Sequence, residues 1–439
     1  MLPTLQAMLP SLLLLLAWMA RPRDCNNDRR LSQFALLLVL VLCLHRIFPF
    51  DGGATWGAIS VLGNHLSFDG FSALFVGLMS WLALGALQLN HSRPTPLIGS
   101  LFFAAVAFAS LNFAFTMVAV VAFSYCLGNS LQSEERPPPP RLSLAVTAVA
   151  ALALMAMAGG WSYLQLGIGM SQAWLDQGGG FMVFLWAVFS FGLMSVGRWA
   201  IQHGASLNAS TSQRLFAIGA APLALFAVWL RFSTALFAGV VQGNVLEVDQ
   251  GLMGQVQGWL LLAIILLVLR SFRADRHAED WMGHLAAAVP VQLGLWLLAA
   301  ISLDQEAVYL AIFAMVVFSV AAVGLARPAP DCARIWRLCW GLLIAAWIGL
   351  PLTAGFHQRW LLGQDMLANG QFTLAAIAFF LSLLLLIRLL PTALDPRNHA
   401  EKAPSRLFPA LAAAVLLAAF VRLDYLNGLA KAAQNAIFW

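Results

Sequence analysis

Long apolar runs alternate with short polar breaks along the whole chain. An apolar run of about 17–25 residues is the length a helix needs to cross a bilayer. About fourteen such spans can be read, near 4–20, 33–48, 70–89, 97–112, 113–130, 143–163, 180–200, 215–240, 253–272, 281–303, 306–326, 335–352, 371–391 and 406–426. The first span has no basic residue before it and Arg21 and Arg23 after it, so it reads as a retained span rather than a secretory signal. The pattern predicts an all-α polytopic membrane protein. The longest pieces outside the spans are 49–69, 164–179 and 353–370. Pro137 to Pro140 form a stiff connector in the polyproline II conformation.

The breaks are charged unequally. Those after the odd-numbered spans hold most of the Lys and Arg, including Arg21, Arg23, Arg29, Arg30, Arg270, Arg273, Arg276, Arg327, Arg334 and Arg337. The intervening breaks carry Asp51, Asp176, Glu247, Asp249, Asp304 and Glu306. The positive-inside rule then places the odd breaks in the cytoplasm and both termini outside. Composition agrees: 61% of residues are hydrophobic and 10% charged, against about 25% charged in a soluble domain. Mean hydropathy is +0.82. These values exclude a cytosolic enzyme, a secreted module and a disordered chain. The net charge of +5 is spread over many loops, which argues against a nucleic-acid partner. The bilayer is the implied environment.

Candidate chemistry is sparse. The five cysteines form no CxxC pair and no cluster with His. No metal, haem or iron–sulfur ligand set and no nucleotide or nucleophile motif occurs, so no cofactor is expected. Any link to an enzyme would be that of a non-catalytic membrane subunit. Gly349, Pro351 and Gly355 interrupt an apolar segment, which predicts a broken helix; in a membrane such a break persists only where protein or water satisfies the freed backbone.

That segment, Gly349 to Leu362 (GLPLTAGFHQRWLL), resembles the twelfth-helix signature of the antiporter-like subunits of respiratory complex I, close to GLPPxAGFxxKxxL. Other segments follow in the same order. His65–Phe75 (HLSFDGFSALF) resembles the family's entry to helix 3, Ser124 to Leu127 its SYxL end of helix 5, and Asp280–Gly294 (DWMGHLAAAVPVQLG) its DLKRxLAYSxISxxG run. Tyr309–Val323 is similar to the eleventh helix of the chain N type. The resemblance covers nearly the full chain and extends to chain M and Mrp-type antiporter subunits. It implies two inverted five-helix repeats, each with a broken helix. The divisions are then 1–96 for the first three spans, 97–240 and 253–391 for the repeats, and 392–439 for the last span and tail. It also implies other membrane subunits as partners, in a bacterial inner membrane.

The family's proton relay of buried acids and lysines is mostly missing. The resemblance places Val118 at its helix 5 glutamate, Val196 at its helix 7 lysine and Met282 at the DLKR lysine, with Asp280 retained. The helix 12 lysine position holds Arg359, and a guanidinium does not readily give up its proton. No lysine precedes Lys402, and all 19 acids sit in loops or at helix ends. The remaining path candidates are Arg359, Arg231, His284, Asp280, His203 and His357. Arg231 is deep for an arginine; it pairs with an acid, for which Asp304 and Glu306 are candidates, or snorkels. Asp69 reads as a helix cap and Arg388 as an interfacial anchor. The sequence therefore points to a structural or coupling subunit of a complex I-like or related ion-translocating assembly. Two alternatives stay open: a stand-alone transporter binding an anion at Arg359 and Arg231, or the membrane partner of an inorganic-carbon uptake complex.

Overall fold

In a computed structural model of the protein, the described residues are 2–20, 25–47, 58–61, 64–88, 94–110, 113–130, 190, 214–241, 250–275, 280–301, 305–326, 334–394, 412–416, 428 and 430–435. They are almost entirely helical. The helices are α1 (Leu2–Met19), α2 (Cys25–Ile47), α3 (Gly70–Gln88), α4 (Pro94–Ala109) and α5 (Phe113–Ser130). After these come α6 (Ala221–Val241), α7 (Gln250–Asp275), α8 (Trp281–Ala299), α9 (Gln305–Leu325), α10 (Arg334–Ile348), α11 (Ala354–Ala368) and α12 (Phe372–Leu394). The spans expected near 143–163 and 180–200 lie outside the described residues apart from Ser190, as does most of the one near 406–426.

Two pieces expected to lack helix turn out to be ordered. Residues 353–370 contain α11, the second half of the broken helix. Residues 49–69 contain a short antiparallel hairpin, β1 (Ala58–Val61) and β2 (Asn64–Ser67), with Ala58 opposite Ser67 and Val61 opposite Asn64. Leu66 of β2 bridges to Ser110 at the end of α4, so the hairpin lies across the α3 and α4 ends of the bundle.

Five described helices are long and apolar enough to span a bilayer: Asn27–Ile47, Gly70–Gln88, Trp281–Ala299, Val308–Leu325 and Phe372–Pro391. They divide into two kinds. The windows in α3, α8 and α9 are 89%, 89% and 94% buried, while those in α2 and α12 are 33% and 28% buried. The first three therefore form the core, all-round apolar because they are enclosed on every side. The other two offer faces such as Phe34, Leu37 and Val41, or Phe379, Phe380 and Ile387, to the surroundings, as lipid-contacting helices do. Helix α9 packs against α3, α8, α10 and α11, and α8 packs against α7 and α12. Phe226, Trp296, Phe318 and Trp347 form a chain of tilted and edge-to-face ring contacts from α6 through α8 and α9 to α10.

Close approach of α3 and α9 needs a glycine. A Cβ on Gly85 would sit 2.6 Å from Cγ1 of Val323 and 3.0 Å from its Cγ2. Valine is stiff about χ1 and cannot swing clear. Gly363, inside α11, has nothing within 4 Å of a built Cβ. Gly85→Ala is therefore expected to lower the apparent melting temperature in detergent. Gly363→Ala is expected to raise it, in line with the roughly 0.5–1 kcal/mol helix penalty of glycine. Equal responses at the two sites would contradict this packing.

Candidate functional site: fixed charges at helix ends

The start of α3 is built around Asp69. Its Oδ1 accepts from the Ser72 backbone N–H at 2.8 Å and lies 2.9 Å from the Ser72 hydroxyl. This is the N-cap expected from sequence. The same carboxylate also meets Arg231 of α6: Nη2 donates to Oδ2 at 2.7 Å, and Nη1 to the Ser72 hydroxyl at 3.1 Å and to the Phe108 carbonyl. The guanidinium lies 5.5 Å from the Phe71 ring centre. Asp69 is 2% exposed and Arg231 7%. Arg231 is thus an interior arginine, and it does not snorkel. Its partner is Asp69; Glu306 is exposed, and Asp304 lies outside the described residues.

A second pair repeats the arrangement. Asp280 caps α8, accepting from the Gly283 N–H at 2.8 Å, and its other oxygen meets Arg214, just before the π-helical turn Phe216–Ala220 that leads into α6. Arg214 and Arg231 are seventeen residues apart, about 25 Å along a helix, close to the hydrocarbon thickness of about 30 Å. One helical segment is thereby pinned towards one end by the start of α8 and towards the other by the start of α3.

The broken helix carries the third arginine. Helix α10 stops at Ile348 because Gly349 (φ +79°) and Leu352 (φ +67°) take left-handed conformations. The Gly349 and Leu350 N–H groups both return to the Ala345 carbonyl, at 2.9 and 2.8 Å. Thr353 then caps α11 by accepting from the Phe356 N–H at 3.3 Å. The family pattern has a second proline where Leu352 stands, and a φ of +67° is closed to proline. The break orphans the last carbonyls of α10. Arg359, on α11, turns back to them: its Nη2 donates to the Trp347 carbonyl at 2.9 Å and its Nη1 to the Ile348 carbonyl. Nη2 also lies 3.4 Å from Oε1 of Gln292 on α8. A Cβ on Gly349 would fall 2.7 Å from the Arg359 guanidinium, and one on Gly355 would strike the Ala346 carbonyl. The glycine spacing of the motif is thus the footprint of this arginine and of the returning helix.

The other sequence candidates scatter. Arg359 and Arg231 share no hydrogen-bond partner among the described residues. His357 flanks Phe313, with ring centres 6.3 Å apart. His284 is half-buried one turn into α8. Met282 is buried, whereas Val118 is 60% exposed on α5. His203 and Val196 lie outside the described residues. Arg388 is more than an interfacial anchor: it donates to the buried Ser271 hydroxyl of α7 and lies 4.2 Å from the Phe272 ring centre. Sequence reasoning passed over Gln292, though a lone amide in the apolar run of α8 was the available signal. It also passed over Ser72, whose role depends on the arrival of Arg231.

No protein-family model and no curated protein matches the sequence. Solved structures do share its fold. A chain of the Mrp complex from Dietzia sp. DQ12-45-1b superposes with a TM-score of 0.78 at 16% identity, over 100% of this chain and 52% of that one. This chain therefore spans about half the length of that Mrp chain. A chain of the membrane-bound sulfane sulfur reductase, an archaeal respiratory membrane complex, gives 0.73 at 13% identity, over 99% and 98%. One of respiratory complex I from Thermus thermophilus gives 0.73 at 18% identity, over 99% of each. The protein is thus a helical, multi-pass membrane protein with the fold of the membrane subunits of these assemblies, as the resemblance implied.

Asparagine caps a helix about as well as aspartate, so Asp69→Asn isolates the ion pair from the cap. Stranding Arg231 in this way is expected to cost about 3–5 kcal/mol, read as a large fall in apparent melting temperature. Replacing both partners, Asp69→Asn with Arg231→Met, keeps the cap and is expected to recover much of it. Additive losses in the double variant would contradict the pairing.

Proposed function

We propose that this chain is an integral membrane subunit of a multi-subunit ion-translocating assembly, keeping the antiporter-like fold while its charges hold helices together instead of relaying protons. One observation carries the reading: Arg214, Arg231 and Arg359 are each bound to an aspartate or to the end of another helix. A relay needs groups that load and release protons as a neighbour changes. Arginine stays charged, and the matched relay positions hold Val118, Val196 and Met282. Asp280 is engaged as a cap and a counter-ion. His284 stands one turn into α8, while His357 on α11 lies against Phe313 of α9. The separate partners of Arg231 and Arg359 weigh against the stand-alone reading, in which both surround one anion. Membrane subunits of the same assembly are the proposed partners, in a bacterial inner membrane with both termini outside.

The test is reconstitution of the full chain alone into vesicles, with internal pH followed after a potential is imposed. Proton flux no greater than in empty vesicles is expected, for wild type and for Arg359→Ala, with other membrane subunits co-purifying from native membranes in mild detergent. A flux in the wild type that Arg359→Ala abolishes would overturn the proposal.

A further inference from the structure

The Asp69–Arg231 pair borders a small cavity. Its walls come from α1 (Pro10, Ser11), α2 (Cys43, Arg46), the start of α3 (Asp69, Ser72) and α4 (Ala105). It offers about 20 Å³ to the centre of a water-sized sphere. One water needs about 10–15 Å³ by that measure, so this partly open space has room for the centre of about one water. Most of the lining is apolar, but four polar side chains converge on it: Ser11, Arg46, Asp69 and Ser72. Ser11 is 7% exposed, and its hydroxyl makes no hydrogen bond among the described residues. A hydroxyl in so confined a space that makes no bond to protein is met in native proteins by ordered water.

We propose that this cavity is a binding site for a single structural water, held between the Ser11 hydroxyl, the Arg46 guanidinium and the Asp69 carboxylate. Three polar partners are the usual number for a buried water. Their chemistry divides cleanly: Arg46 only donates, ionised Asp69 only accepts, and a hydroxyl does either. The water accepts from Arg46 and donates to Asp69, which leaves it one lone pair and one O–H, and either suits the Ser11 hydroxyl. A metal cation is disfavoured by the arginine in the wall. The site brings α1 and α2 into the polar network that otherwise joins α3, α4 and α6. It requires neither a proton path nor its absence, so it is independent of the proposed function.

Filling a dry void stabilises a protein, and displacing a bonded water does the opposite. The sign of a cavity-filling substitution therefore decides the question. In the full chain in detergent, Ser11→Val and Ala105→Val fill the space from two walls, and Ser11→Ala removes a partner without filling it. All three are expected to lower the apparent melting temperature, by about 2 °C or more on the scale of a lost hydrogen bond. A cryo-EM map of the wild type is expected to show one peak within hydrogen-bond distance of Ser11, Arg46 and Asp69, absent in Ser11→Val. A rise in melting temperature for both valine variants would show a dry void and overturn the proposal. So would a wild-type map without that peak, or a wild-type melting temperature that follows chloride concentration, which would mark an anion site.

Discussion

A helix that ends within a bundle leaves carbonyls without partners from its own helix, and in this protein several of them are answered by side chains of other helices. Arginines from other helices supply the donors. Arg29 of α2 donates to the Leu87 carbonyl in the last turn of α3 at 2.6 Å. Arg231 of α6 reaches the Phe108 carbonyl at the end of α4, and Arg359 of α11 the Trp347 and Ile348 carbonyls at the end of α10. Trp281 does the same for α9 through its indole N–H, 2.7 Å from the Leu325 carbonyl. Each cation lies at the negative end of a helix dipole, where it is favoured. Each contact also ties two helices together, so one interaction ends a helix and positions its neighbour.

That task suits arginine, of which the chain has 22 against only two lysines, Lys402 and Lys431. An ammonium is a compact, strongly hydrated point charge, whereas a guanidinium presents five donors in a plane and loses its water more readily. Arg231 uses the plane to hold a carboxylate, a hydroxyl and a carbonyl at once. Arg359 spreads over two carbonyls and an amide. The aspartates are economical in the same way. Asp69 and Asp280 each begin a helix and neutralise an arginine, so the two ion pairs draw on acids that the helix starts use in any case.

Much of this was legible in the sequence, and the limits have physical causes. The apolar runs located α1 to α10 and α12, because a bilayer imposes length and composition directly. The Gly-Leu-Pro and Ala-Gly signals located the break, yet residues after it read as loop: α11 has polar groups at His357, Gln358, Arg359 and Asp365 that mask its apolar face. Asp69 was legible as a cap because capping is local. Its bond to Arg231 spans 162 residues, and no periodicity carries information over that distance. The same holds for Arg214 with Asp280 and for Gln292 with Arg359. Glu306 stood nearer to Arg231 in the chain than Asp69 did, and the fold ignored that order.

The constraint on termini also bears on what such a framework can do. Moving a proton across a bilayer needs side chains with two states of similar free energy, and the neighbours must tolerate both. A guanidinium wedged against Gly349, where a single Cβ would collide with it, sits in a space shaped for one arrangement. The broken helix is kept open by that charge: withdraw it, and two carbonyls of α10 face an apolar interior at a cost of about 1–3 kcal/mol each. A lysine could share in such a cap with a fraction of the donors and leave when deprotonated, which is what a relay requires and a structural joint cannot tolerate. On the function proposed above, a permanent charge at position 359, where the resembling pattern has lysine, belongs to the frame of the fold and moves no proton.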